Sequence, residues 1–199
     1  MSHETGQIQY DNFANGLSEV FQTCGLDLSR CIKKGVLALD VGYGREITSF
    51  SPFNPRPFIV TEPDSVSEDP PERWKRLLSG HLIEHPEVQL LRMDAIAALE
   101  KLKDESQRLG LITRLNIFPP RLTYHQTTAY FTAAAPLLVP GGVAVLSFDQ
   151  LDDEFGTQAY RAFYHTRSSL PGVRFHDPEP CNPNEVGGLF LMIEKMSDK

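Results

Sequence analysis

Cysteine is scarce in this sequence. Three occur among 199 residues: Cys24, Cys31 and Cys181. They form no Cys-x-x-Cys pair, and no histidine stands near them at metal-ligand spacing. That excludes a disulfide scaffold and leaves reduced thiols and no expected metal. Basic charge is also short. Lys and Arg number 19 against 26 Asp and Glu, for a formal net charge of −7 and a pI near 5.3. Such a balance gives no indication of nucleic acid as a partner. The densest basic cluster, Arg73, Lys75 and Arg76, follows Glu68, Asp69 and Glu72 and reads as a solvated helix face. No run of 18 apolar residues occurs, so no membrane span is expected. The start, Met1-Ser2-His3-Glu4-Thr5, lacks the basic and apolar regions of a secretory signal, which makes the cytoplasm the expected location. Internal repeats and low-complexity tracts are absent.

What is present fits one domain with a full core, from length and from an ordinary 41% hydrophobic content. Phe13, Leu17, Val20 and Phe21 recur at helical spacing, with Asp11 or Asn12 as cap. A second short helix is expected from Asp27 to Lys34, stopped at Gly35. Residues 1–34 thus form an N-terminal helical segment, either packed on the sheet edge or covering a crevice as a lid. Residues 35–199 form the main domain. Its first strand is the continuous apolar run Val36–Val41, as suits a strand buried on both faces. Further strands are expected at Pro57–Thr61, Val88–Arg92, Leu111–Phe118, Val143–Phe148, Val173–His176 and Leu189–Glu194. Helical patterns lie at about 72–84, 95–108, 123–138 and 153–169. Alternating strands and helices predict an α/β fold with a doubly wound, mainly parallel sheet and helices on both faces. No helical pattern separates the last two strands, so one of them is expected to be antiparallel.

Chemistry concentrates where strands end. Leu37-Ala38-Leu39-Asp40-Val41-Gly42-Tyr43-Gly44 runs a buried strand into a Gly-x-Gly turn, where a ligand can approach the backbone closely. In open α/β sheets the ligand crevice lies at the carboxyl ends of the strands. Glu62 ends the second strand about 20 residues further on, where a carboxylate can accept both hydroxyls of a ribose or simply open a helix before Pro63. Asp94 ends the third strand, where it can meet an adenine amino group, cap the helix starting at Ala95, or do both. Asn116, polar at the end of an apolar strand, sits at the crevice mouth or forms a turn before Pro119-Pro120. Pro140-Gly141-Gly142 reads as a tight turn between a helix and the fifth strand.

In order and spacing, Leu39-Asp40-Val41-Gly42-Tyr43-Gly44, then Glu62, Asp94-Ala95 and Pro140-Gly141-Gly142 resemble the class I S-adenosylmethionine-dependent methyltransferases. The resemblance spans roughly residues 30–195. It implies a seven-stranded sheet of order 3-2-1-4-5-7-6 with strand 7 antiparallel, and S-adenosylmethionine as cofactor. By that resemblance Asp40, Gly42, Tyr43 and Gly44 line the methionine part, Glu62 holds the ribose hydroxyls, Asp94 and Ala95 contact adenine, and Asn116 lies nearest the transferred methyl group. The sequence departs from the family at Glu46, where a small residue is common; a glutamate there narrows or recharges the pocket. Leu115-Asn116-Ile117-Phe118-Pro119-Pro120-Arg121 faintly resembles the motif of tRNA guanine-N7 methyltransferases but lacks its acidic residue.

Methyl transfer needs chiefly an aligned nucleophile. No catalytic base is assigned; Asn116, Tyr124 and His125 are the candidates near the fourth strand, and Tyr124 and His125 also read as exposed helix residues. Neither the methyl acceptor nor the oligomeric state can be read from the sequence. A nicotinamide-dependent oxidoreductase would need Gly-x-Gly-x-x-Gly, and Ile47 occupies the last position. A non-catalytic protein that keeps the fold and acts by binding a ligand or partner is the other alternative.

Overall fold

The computed structural model describes residues 20–31, 37–41, 58–61, 88–114, 123–148, 154–176 and 189–197. The strands are β1 (Leu37–Val41), β2 (Phe58–Thr61), β3 (Val88–Leu91), β4 (Leu109–Arg114), β5 (Leu138–Phe148), β6 (Val173–His176) and β7 (Leu189–Lys195). Helices are α1 (Leu28–Cys31), α2 (Ala95–Asp104), α3 (Tyr124–Ala134) and α4 (Glu154–Thr166), and residues 20–23 are also helical. The strands form one sheet of order β3-β2-β1-β4-β5-β7-β6. Neighbours from β3 to β5 pair parallel, whereas β7 runs antiparallel to both β5 and β6.

Burial on both faces explains why the central strands read as continuous apolar runs. Ala144 and Leu146 of β5 join Ile112, Leu191 and Ile193 in a core with Leu99 and Leu102 of α2, Tyr130 and Phe131 of α3, and Phe163 of α4. Val143 and Val145, alternating with them along β5, are also fully buried. Val20, Phe21, Leu28 and Cys31 are buried outside that cluster, and α1 packs against β4 and β5. The Cys31 thiol lies 3.6 Å from the Asp27 carbonyl and 3.7 Å from that of Gly141. That thiol is buried, whereas Cys24 is half-buried. Among the described residues no group of His, Cys, Asp and Glu can hold a metal.

The structure differs from the expected elements in instructive ways. β4 begins at Leu109, and β5 begins at Leu138, so Pro140-Gly141-Gly142 lies inside the strand rather than in a turn before it. Leu109 pairs with Leu138, but Leu111 pairs with Val143, so the register shifts across this stretch. Gly141 has φ +77°, and a Cβ on Gly142 would come within 2.9 Å of the carbonyl oxygens of Leu109 and Val139. The glycines serve an irregularity inside the sheet. The third helix stops at Ala134 and continues as a 3-10 turn, Ala135–Leu137, because Pro136 cannot donate within an α-helix. The second stops at Asp104; Ser106 then takes φ 58°, a left-handed conformation that ends the helix. The expected helix at 72–84, Phe13 and Leu17, and the extension of the fourth strand to Phe118 lie outside the described residues.

Candidate functional site

The parallel register aligns the carboxyl ends of the strands. Val41 pairs with Thr61, Thr61 with Leu91, Asp40 with Thr113, and Arg114 with Leu146. Val41 directly precedes Gly42, and Thr61 directly precedes Glu62. The peptide geometry allows about 3.8 Å between consecutive Cα atoms. Four of the strands that carry the sequence motifs therefore end on the same side of the sheet. Gly42, Tyr43, Gly44, Glu46, Glu62 and Asn116 themselves lie outside the described residues. Asp40 lies at the fourth of the five positions of β1.

Asp94 sits at that end as the N-cap of α2. Its Oδ1 accepts hydrogen bonds from the backbone N–H of Ile96 at 2.9 Å and of Ala97 at 3.1 Å. Its extended backbone, φ −67° and ψ 163°, is that of a cap residue. Ala95 is buried behind it. Asp94→Ala is expected to cost about 0.5–2 kcal/mol through loss of the cap; an unchanged urea midpoint would show that those two bonds contribute nothing.

No family model and no curated protein matches the sequence. Solved structures do match. An rRNA methylase from Streptococcus thermophilus superposes with a TM-score of 0.57 at 14% identity, over 85% of this chain and 92% of that one. Aeropyrum pernix fibrillarin, solved with natively bound S-adenosyl-L-methionine, gives 0.57 at 16% identity, over 88% and 73%. An O-methyltransferase family protein from Burkholderia thailandensis gives 0.57 at 10% identity, over 96% of this chain and 60% of that one. The chain has the class I methyltransferase fold. The family resemblance expected from the motifs is borne out at the level of fold.

In this methyltransferase fold, Tyr124 and His125 open the helix after β4. Thr123 caps that helix: its Oγ1 accepts from the Gln126 N–H, and the Gln126 side chain accepts from the Thr123 N–H at 2.9 Å. The Tyr124 hydroxyl lies 2.7 Å from Nδ1 of His165, and its ring meets both His165 and His125 edge-on. His125 is exposed. Tyr124 is thus engaged with a residue of α4, a pairing across 41 positions that no local sequence pattern announces.

Sequence reasoning also passed over Arg114, the last residue of β4. It shares a face of the strand with Ile112, which packs against α2 and α3. The side chain is half-buried. Burial pushes its guanidinium below the ordinary arginine value, while the Tyr130 phenol and then the Asp94 carboxylate act in the opposite sense. The Tyr130 hydroxyl is itself committed, donating to the Val145 carbonyl at 2.9 Å. The signal that would have exposed Arg114 was a charged residue directly after the apolar Leu-Ile-Thr run.

Proposed function

We propose that this chain is an S-adenosylmethionine-dependent methyltransferase with a methyl acceptor still to be identified. The observation that carries this reading is the alignment of β1, β2 and β4 at one end of a sheet with the class I methyltransferase fold. It brings the strand ends before Gly42, Glu62 and Asn116 to the place where such folds take nucleotide ligands. The donor set suits the cofactor. On this reading Glu62 supplies a carboxylate for ribose hydroxyls, Gly42 and Gly44 let the ligand approach the backbone, and Asp94 and Ala95 serve adenine. On the same reading Asp40 and Tyr43 serve the methionine side, and Asn116 serves the reacting end. When bound, the cofactor supplies an electrophilic methyl group on a sulfonium. The chain's own contribution is to orient the acceptor and exclude water. Tyr124, held against His165, and His125 are the candidate proton acceptors where the nucleophile carries a proton.

Residues 1–34 make the N-terminal segment of this reading and residues 35–199 the methyltransferase domain. The cytoplasm suits a chain in which, among the described residues, no helix is long and apolar enough to cross a membrane. The test is stabilisation by product. A Kd one hundredfold below the free concentration of S-adenosylhomocysteine adds about 2.7 kcal/mol to stability. A rise in Tm that grows with ligand concentration is the expected result. A flat response up to millimolar ligand would favour the non-catalytic alternative.

A further inference from the structure

We infer that Arg114 is an anion-binding residue of the carboxyl-end crevice, placed to take a carboxylate or phosphate of a bound small molecule. Three observations carry this. The first is position. Arg114 follows Thr113, the register partner of Asp40, so its backbone stands level with Val41 at the crevice end of the central parallel strands. The second is an unmet charge. Among the described residues Arg114 makes no ion pair and no hydrogen bond, although its side chain is half-buried. Asp94 is near enough to influence it, yet the Asp94 carboxylate caps α2 and does not reach ion-pair distance. A guanidinium withdrawn from water without a partner is costly unless an anion completes it. The third is local charge. No Asp or Glu occurs from Ser106 to Phe148, although acids outnumber bases in the chain as a whole. No carboxylate of β4, α3 or β5 therefore competes for the site; the acids that remain on its neighbours are Asp40 of β1, in register with Thr113, and Asp94, already engaged as the cap of α2.

The planar fork of arginine suits two oxygens of one carboxylate or phosphate. Two sources fit this chemistry. One is the amino-acid carboxylate of the cofactor, which rests on the proposed methyltransferase reading. The other is an acidic or phosphorylated acceptor, for which inorganic phosphate is the simplest probe.

Arg114→Gln and Arg114→Lys in the full chain separate these cases. The probes are S-adenosylhomocysteine, 5′-methylthioadenosine (which lacks the amino-acid part) and inorganic phosphate, each titrated calorimetrically, with Tm recorded without ligand. The proposal expects Arg114→Gln to keep or raise the ligand-free Tm, because an unpaired charge has been removed. If the anion is the cofactor's, the variant loses at least tenfold in affinity for S-adenosylhomocysteine and keeps that for methylthioadenosine. If it is the acceptor's, the tenfold loss falls on phosphate and both nucleosides bind as before. Arg114→Lys should fall between wild type and Arg114→Gln for whichever probe responds. Phosphate binding that depends on Arg114 in a chain that binds neither nucleoside would end the methyltransferase reading and leave the anion site standing. A lower ligand-free Tm or failure to fold for Arg114→Gln would make Arg114 a structural partner of Asp94 and overturn the proposal. Unchanged affinity for every probe, or no binding of any probe by the wild type, would overturn it equally.

Discussion

Replacing Phe163 with alanine is expected to destabilise the fold by about 3–5 kcal/mol, the range for truncating a fully buried phenylalanine. Phe163 has no exposed surface. Its ring lies 5.2 Å from that of Phe131 on α3 and 4.9 Å from that of Phe175 on β6. It therefore joins two helices and the edge strand in one contact. The cavity is flanked by Phe131 and Phe175, both buried, and by sheet residues fixed by their ladder bonds, so little can move in to fill it. In a chain of this size that loss lowers Tm by on the order of 10 °C. Urea denaturation followed by circular dichroism measures it. A loss below about 1 kcal/mol would mean that α4 does not pack as described.

Glu62→Ala is expected to remove most affinity for S-adenosylhomocysteine. A carboxylate that accepts two ribose hydroxyls makes two charge-assisted hydrogen bonds, each contributing about 1.5–3 kcal/mol. Even the lower figure for both bonds together is more than a hundredfold in Kd. Glu62 directly follows Thr61, the end of β2, and Thr61 pairs with Val41 beside the glycine turn. Loss of the side chain should leave Tm without ligand nearly unchanged, since a residue serving a ligand contributes little to the core. Calorimetric titration of wild type and variant decides the matter. Equal affinities would remove Glu62 from the ribose site and return it to the plainer role of a helix-opening acid before Pro63.

Much of the architecture was legible because burial leaves a regular imprint. β1, β2, β3 and β6 lie within a residue of their expected bounds, since apolar runs of strand length bounded by Gly and Pro have few other uses. The lack of a helical pattern in the sequence between the last two strands pointed to the antiparallel pairing of β6 with β7, because only a parallel return requires a crossover. Pro140-Gly141-Gly142 misled for a physical reason. The same residues serve a turn between elements and an irregularity within one, and only the pairing partner decides which. Here the partner is β4, whose Leu109 and Leu111 meet Leu138 and Val143.

The sequence by itself determined the class of fold, the order of elements and which strand ends carry candidate ligand groups. These follow from local periodicity and from the fact that parallel strands present all their carboxyl ends on one side. Only the tertiary structure decided which groups are paired. Tyr124 found His165, Asp94 was drawn to the first N–H groups of α2, and Arg114 was left half-buried with no partner among the described residues. Pairing depends on distances between elements remote in the chain, and burial of a charge depends on what lies over it. Neither quantity has a periodic trace in the sequence, so both had to be read from the packed molecule.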